Sequence, residues 1–97
     1  MFVVVLGFST QRAQAALHLA GHQAWLKQGL DEGVFLLAGS LRDRGGGALL
    51  AHGLTREALQ ARVQQDPFVV ADVVRAEIME ITPSLADARL RFLLPEA

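Results

Sequence analysis

Two hydrophobic runs in the first half of this 97-residue chain constrain its fold more than any other feature. Residues 2–8 and 34–39 are rich in β-branched and aromatic side chains, which predicts two β-strands. Both runs are apolar at consecutive rather than alternate positions, so both faces of their sheet should be buried. Helices from the same chain can cover one face, and the other face needs a second cover.

Helix signals lie between these two strands, and turn signals follow the second strand. Residues 11–30 have helical periodicity, with Ser9 and Thr10 as candidate N-caps. The triple glycine 45–47 predicts a hairpin turn or bulge before a third strand at about 48–52. No Lys-Ser/Thr pair follows these glycines, so they do not form a phosphate-binding loop.

A second helix and a fourth strand complete the predicted order. Thr55 is a plausible N-cap for a helix through Gln65, and the dipeptide Asp66-Pro67 should end it, because a residue before proline avoids the α region. A strand is expected at about 75–82. The order βαββαβ predicts a single α+β domain over residues 1–97, ferredoxin-like, with two helices on one face of an antiparallel sheet.

The composition limits the classes of partner. Net charge is −1 with no basic run, which argues against nucleic-acid binding, and the absence of cysteine excludes disulfides and thiolate metal sites. No apolar stretch reaches the ~20 residues of a membrane span, and the first residues resemble a strand rather than a signal peptide, so a cytoplasmic protein is expected. A hydrophobic fraction of 52% favours self-association. We therefore expect a sheet-to-sheet homodimer or a higher oligomer, the alternative being a tail folded over the open face.

One ionisable side chain, His22, falls within the apolar stripe of the first predicted helix. That stripe consists of Ala15, Leu19, Leu26 and Leu30. A carboxylate beside an imidazole fixes its tautomer and stabilises the imidazolium, an arrangement suited to acid/base catalysis, and Asp66 is the candidate partner. From spacing alone the simpler interpretation is structural, with His22 bonded to a backbone carbonyl and Asp66 capping a helix end.

Several other side chains are candidates for substrate binding. Ser40 ends the second strand and could donate a hydrogen bond, although no Gly-x-Ser-x-Gly elbow supports a nucleophile. Arg42 and Arg44 flank the hairpin and could hold a carboxylate or phenolate. Trp25 and Phe68 could wall an apolar pocket for a planar ligand. Each of these residues also has an ordinary structural interpretation, as turn, solvated surface or core.

Metal binding is not expected. His18 precedes His22 by one helical turn, a spacing that can chelate a metal, but no glutamate follows His18 as in the zinc proteases. A third ligand would have to come from Asp66 or His52. We expect His18 at the rim of the site instead.

Four ordered segments carry a resemblance to a known family. They are His-Leu-Ala-Gly-His-Gln-Ala-Trp-Leu at 18–26, Gly-Val-Phe-Leu-Leu-Ala-Gly-Ser at 33–40, Gly-Gly-Ala at 46–48 and Asp-Pro-Phe at 66–68. This set resembles the YciI (YCII-related) family over residues 1–82 and leaves a C-terminal tail, 83–97, outside it. The resemblance implies a dimeric α+β barrel with an active-site pair that maps onto His22 and Asp66. One branch is similar to dehydrochlorinases of chlorinated hydroxyquinol-type aromatics, where the pair would assist loss of HCl.

These observations predict a homodimeric small-molecule enzyme that needs no cofactor. His22 would move a proton, Asp66 would orient the imidazole, and Ser40 with an arginine would position the substrate for elimination or isomerisation. The alternative is a non-catalytic ligand-binding or interaction module in which the His/Asp pair is structural. A third, weaker interpretation is a haem- or oxygen-using member of the same architecture.

Overall fold

The computed structural model describes residues 1–95, which form an α+β domain. Its elements are β1 (Phe2–Phe8), a 3₁₀ turn (Arg12–Gln14), α1 (Ala15–Asp31), β2 (Phe35–Ser40), β3 (Gly47–Ala51), α2 (Arg56–Val63), α3 (Pro67–Val70), β4 (Val74–Glu80) and a second 3₁₀ turn (Ala88–Leu93). The strands form one antiparallel sheet in the order β2-β3-β1-β4, so the predicted ferredoxin-like fold is confirmed.

The sheet turns one face toward the helices, and this face carries the core. Three rows of directly paired residues cross it from β2 to β1, and they are Phe35/Ala51/Phe2, Ala38/Leu49/Val4 and Ser40/Gly47/Leu6. Each of the first two rows contains two large buried side chains, whereas the third contains a serine and a glycine. Side chains therefore fill the space under the helices at one end of the sheet and leave room at the other.

The opposite side of the sheet, here called the open face, carries an apolar row across all four strands. This row consists of Leu37, Leu50, Val3 and Met79. Leu37 remains 54% exposed in the single chain. The consecutive apolar positions in the strands therefore do supply two apolar faces, and the helices cover one of them.

Helix α1 is rotated relative to the predicted stripe. Its buried residues are Trp25 and Gly29, whereas Leu19 and Leu30 are nearly half exposed. A Cβ on Gly29 would lie 2.1 Å from the Phe35 ring, so the missing side chain lets α1 approach the start of β2 closely. The predicted stripe was centred wrongly because helical periodicity counts hydrophobic side chains. It gives no weight to a glycine that packs closely against a neighbouring strand.

Ser9 and Thr10 do not cap the first helix, so that prediction is wrong. Their hydroxyls donate to the two carboxylate oxygens of Asp72, and neither Gln11 nor Gln14 supplies a side-chain cap at the helix start. The backbone of Ser9 also donates to the carbonyl of Val73 at 2.9 Å. These contacts tie the end of β1 to the loop before β4, so both hydroxyls are used there instead of at the helix start.

The second helical region is divided in two. Thr55 caps α2 by accepting from the backbone of Ala58, as predicted, and the helix ends before Asp66. Asp66 is extended (ψ 121°) and begins α3, with Pro67 in the first helical position, where a missing N–H costs nothing. The Asp-Pro dipeptide thus ends one helix and starts another.

The tail beyond β4 forms a 3₁₀ turn at Ala88–Leu93, although the alternation Arg-Leu-Arg-Phe at 89–92 is typical of a strand, so a strand prediction from this pattern is wrong. The Phe92 ring contacts the His52 ring edge-on at 5.2 Å, while Leu85 is 91% exposed. Within residues 1–95, none of the helices has the length and hydrophobicity needed to cross a bilayer.

Candidate active site

His22 on α1 and Asp66 at the start of α3 meet in a direct contact. The distance from Nδ1 of His22 to Oδ1 of Asp66 is 2.8 Å. The Asp66 side chain is fully buried, and the His22 side chain is 12% exposed. The structure therefore brings together the two residues predicted as a pair, with the carboxylate inside and the imidazole toward the surface.

Asp66 also organises the helix that it begins. Oδ1 accepts a second hydrogen bond, from the backbone N–H of Phe68 at 3.0 Å. The other oxygen, Oδ2, is buried and has no hydrogen-bond partner within residues 1–95. Because one oxygen serves both contacts, the position of the carboxylate is fixed by the local turn as well as by the histidine.

The hydrogen bond to Asp66 determines which nitrogen of His22 is available. An ionised carboxylate can only accept, so Nδ1 carries the hydrogen and donates it. The remaining nitrogen, Nε2, makes no hydrogen bond within the described chain and is not among its buried unpaired atoms, so it keeps accessible surface. In neutral His22 this nitrogen has a free lone pair, as a proton acceptor requires.

Aromatic packing fixes the plane of the imidazole. The ring lies parallel to that of Phe68, with centroids 4.1 Å apart and an interplanar angle of 6°. Trp25 lies on the same helix with its ring centroid 6.1 Å away. The imidazole is thus held by a hydrogen bond at one edge and by a stacked ring on one face, so it is oriented before any ligand arrives.

His22 lines a cavity of about 320 Å³ between α1 and the sheet. Helix α1 contributes Leu19, His22, Gln23 and Leu26, the sheet contributes Leu6, Ala38, Ser40, Gly47 and Leu49, and Phe8, Phe68 and Val74 are also in the wall. Most of this wall is apolar, with a few convergent polar groups, as is usual for small-molecule sites.

The cavity exists because the row of sheet residues beneath it is small. Ser40 and Gly47 pair directly across β2 and β3 at this end of the sheet. A Cβ on Gly47 would lie 2.9 Å from the Gly39 carbonyl oxygen, and one on Gly46 would lie 2.2 Å from the Leu6 carbonyl oxygen. Gly46 also has φ of +76°, so the predicted glycine turn is confirmed. The glycines allow this close strand pairing and leave the volume that a side chain would fill.

The structure places the candidate binding residues in two groups. Ser40 and Phe68 line the cavity with His22. Trp25 does not, because it is buried in the core and donates from Nε1 to the Arg62 carbonyl at 3.0 Å. Of the two alternatives for Trp25, core packing is therefore the one observed.

The other three candidates lie away from the cavity wall. Arg42 and Arg44 are exposed in the hairpin turn, and His18 is half-buried one turn before His22, but none of them lines the cavity. His52 bonds the Gly33 carbonyl through Nε2. No three histidine, aspartate or glutamate side chains of residues 1–95 are grouped as a metal site.

Two features of the site were absent from the sequence predictions. Gln23 lines the cavity next to His22, and Phe8 forms part of the wall with the guanidinium of Arg12 stacked on it at 4.1 Å. The position of Gln23 beside His22 was a usable signal, because a helix that turns His22 toward a cavity also brings a flanking residue near it. The Arg12 contact depends on the path of the 3₁₀ turn and had no comparable signal.

Comparisons with known proteins agree with the fold and the family. The chain is 14% identical to the 5-chloro-2-hydroxyhydroquinone dehydrochlorinase TftG of Burkholderia phenoliruptrix AC1100, solved in complex with 2,5-dihydroxybenzoquinone, with a TM-score of 0.68 over 87% of this chain and 96% of that chain. This likeness establishes a shared fold. No curated protein sequence matches the chain. The family model of the YCII-related domain matches residues 1–82, and the chain therefore belongs to the YCII-related family.

Proposed function

We propose that this protein is a small-molecule enzyme that transfers a proton between His22 and a planar hydroxylated or carboxylated substrate, with no cofactor required. The reaction would be an elimination of the dehydrochlorinase kind or an isomerisation. The observation that carries this proposal is the free Nε2 of His22 at a cavity wall, with Nδ1 held 2.8 Å from a buried carboxylate. The fold shared with a dehydrochlorinase supports the substrate class.

The proposed elimination needs only the groups of this site. The reacting form is the keto tautomer of the substrate, in which the carbon that bears chlorine is tetrahedral. An O–H proton passes to Nε2 of His22, the electron pair of that O–H bond forms a C=O bond, and the adjacent C=C bond shifts to the carbon that bears chlorine. Chloride leaves with the electron pair of the C–Cl bond. Asp66 stabilises the imidazolium through Oδ1 until the proton is returned to water. Ser40 and Gln23 line the cavity and would bind polar substituents of the ring.

The structure dictates which His22 variant can test this proposal. Removing the imidazole altogether would leave the buried Asp66 carboxylate without its partner, so His22→Ala would reduce stability whether or not His22 is catalytic. His22→Asn is better, because its amide nitrogen can occupy the place of Nδ1 and still donate to Asp66, while no group replaces Nε2. This variant separates proton transfer from folding.

We expect His22→Asn to retain binding of 2,5-dihydroxybenzoquinone and to lose about 10²–10⁴-fold in chloride release from 5-chloro-2-hydroxyhydroquinone, the usual contribution of a general base. Calorimetric titration and anaerobic chloride assays would measure the two quantities. His18→Asn is the matched control, because it makes the same change one helical turn away and outside the cavity wall. Equal activity of the His22 and His18 variants would refute the catalytic role of His22.

A second candidate function is a non-catalytic binding module. The observation that favours it is the double role of Asp66, whose Oδ1 both binds His22 and caps α3. On this alternative the pair maintains the shape of the cavity, and the protein binds planar ligands without changing them. Ligand binding by the unmodified chain with no turnover of any chlorinated hydroxyquinol would favour this function. A homodimeric state and a cytoplasmic location remain predictions from the sequence.

A further inference from the structure

Arg12 is fixed against the wall of the candidate site. Its guanidinium carbon lies 4.1 Å from the centroid of the Phe8 ring, and Phe8 is one of the cavity-lining residues. One side of the Phe8 ring lies against the hairpin, since a Cβ on Gly45 would be 3.1 Å from it, and the side chain is 39% exposed. Arg12 is therefore an exposed arginine whose guanidinium is positioned by a cation–π contact with a ring of the cavity wall.

The hydrogen-bonding capacity of Arg12 is unused within the described chain. Among residues 1–95 it takes part in no ion pair. A guanidinium carries five N–H donors in a planar fork that matches a carboxylate or two adjacent ring oxygens. Arg12 thus presents free donors beside Phe8, a residue of the cavity wall.

Among residues 1–95, the cavity wall contains no fixed positive charge. His22 is the titratable residue in the lining, and the other polar side chains, Gln23 and Ser40, are neutral. Arg12, Arg42 and Arg44 all lie outside the lining, and Arg12 differs from the other two in its contact with the lining residue Phe8. A ligand that brings a negative charge into this cavity must find its counter-ion at the mouth.

We propose that Arg12 is the anion-recognition residue of this site, and that it selects planar ligands carrying a carboxylate or an ionised ring hydroxyl. This inference rests on the proposed function and specifies the ligand class of the same cavity. The ligand ring would lie between Phe8 and His22, with its anionic substituent directed to the guanidinium. Phe8 sets the position of Arg12, so Phe8 is a positioning residue and Arg12 is the residue that contacts the ligand.

The test compares two planar probes of similar size on the full chain by calorimetric titration. One is 2,5-dihydroxybenzoquinone, whose acidic hydroxyls are ionised at neutral pH, and the other is its uncharged dimethyl ether. We expect Arg12→Gln to weaken the acidic probe about tenfold or more, the usual range for loss of a charge-assisted contact, and to change the ether by less than about twofold. Arg12→Lys should restore part of the loss, because it keeps the charge and lacks the fork. Arg44→Gln is the matched control and should change neither affinity.

The outcomes separate this inference from the proposed function. Equal weakening of both probes by Arg12→Gln, or no weakening of the acidic probe, would overturn the role of Arg12 alone, and so would an equal effect of Arg44→Gln. An Arg12-dependent preference for the acidic probe without turnover would support the inference and refute catalysis. If the unmodified protein binds neither probe, both the ligand class and the role of Arg12 are wrong.

Discussion

Asp66 joins the chemistry of the candidate site to the folding of the chain through a single atom. Its Oδ1 accepts from His22 at 2.8 Å and from the backbone of Phe68 at 3.0 Å, while Oδ2 is buried without a partner in residues 1–95. Burying a carboxylate is costly unless it is paired, so the two contacts offset the cost of placing it there. Substitution of a residue that makes both contacts should change the stability of the protein as well as its ligand chemistry.

We expect Asp66→Ala to lower the free energy of unfolding by about 2–4 kcal/mol, since it removes a helix cap and leaves the His22 donor unpaired. Asp66→Asn keeps an oxygen in the Oδ1 position and should cost only about 1 kcal/mol. Urea denaturation of both variants would measure these values. A loss of the same size in both would show that the acceptor geometry at Oδ1 is not what stabilises the turn.

The residues of the pair were accessible to sequence reasoning, whereas their surroundings were not. Helical periodicity pointed His22 inward, and the Asp-Pro rule placed Asp66 at a helix boundary, because both signals are local. Trp25 was ambiguous between pocket and core, and the close approach of α1 to β2 decided it. Arg12 became a candidate only when the 3₁₀ turn was brought against Phe8.

At the scale of elements, the position of α1 depends on the contact between Gly29 and Phe35. The ring occupies the volume that a Cβ at position 29 would need, with Cδ2 only 2.1 Å from the ideal Cβ position. Both residues are buried, so neither can move into solvent. Since α1 also carries His22, this contact helps to set the height of the imidazole above the sheet.

We expect Gly29→Ala to destabilise the protein by about 1–3 kcal/mol, because overpacking outweighs the roughly 1 kcal/mol gain in helix propensity. Gly21→Ala, in the same helix, is the control. Its Cβ would lie 3.0 Å from Cγ of the half-buried Pro67, a longer distance than at Gly29, so this substitution should cost much less. Thermal unfolding of the two variants would check the difference. Equal stability of the variants would mean that the helix can shift freely on the sheet.

The hydrogen bonds between the end of β1 and Asp72, in the loop before β4, affect the stability of the protein at acidic pH. Hydrogen bonds from Thr10 and Ser9, together with the nearby charge of Arg75, hold the pKa of Asp72 below its ordinary value of 3.8. A carboxyl with a lowered pKa in the folded state contributes stability above its ordinary pKa, and that contribution is lost as the pH falls through the folded value. Asp72 also has φ of +57°, a conformation that asparagine tolerates.

We therefore expect Asp72→Asn to reduce the dependence of stability on pH in the acidic range, between about pH 5 and about pH 2, while the fold is retained. Urea midpoints measured across this range would give the slope. Asp43→Asn is the matched control, because Asp43 is exposed in the hairpin turn, whereas Asp72 accepts from two hydroxyls. If both variants keep the slope of the unmodified protein, the hydroxyl contacts do not stabilise the carboxylate.

At the scale of the whole molecule, the open face is the feature that the single chain does not explain. The row of Leu37, Leu50, Val3 and Met79 crosses all four strands, and helices cover only the other side. Apolar surface left in water forfeits about 25 cal/mol per Å². We propose that a second copy of the chain covers this face, as the strand pattern predicts.

Sedimentation at micromolar concentration should therefore give about twice the monomer mass of 10.5 kDa. Leu37→Glu should shift the protein toward the monomer, because it places a charge in the apolar row. Leu17→Glu, on the outer side of α1 where the leucine is 77% exposed, should leave the dimer intact. A monomer in the unmodified protein would refute the dimer, and dissociation caused only by Leu17→Glu would move the interface to the helix.

The tail adds a second unexplained apolar surface, and it lies outside the family domain of residues 1–82. Phe92 contacts His52, but no residue beyond Val74 lines the cavity, so within residues 1–95 the tail does not close the site. The alternation of polar and apolar residues at 89–92 is too short to decide between a strand and a helix. In the structure the segment Ala88–Leu93 is a 3₁₀ turn, and its Phe92 contacts His52, the residue that follows β3.

Sequence by itself determined the order of elements, the two apolar faces of the sheet, the helix boundary at Asp66-Pro67 and the inward side of His22, because each of these depends on neighbouring residues along the chain. Tertiary structure alone decided the rotation of α1, the use of Ser9 and Thr10, and the contact of Arg12 with Phe8. It also decided the cavity, because a row of small side chains becomes an empty volume only when a helix lies above it. These features depend on residues distant in sequence, whose proximity is set by packing.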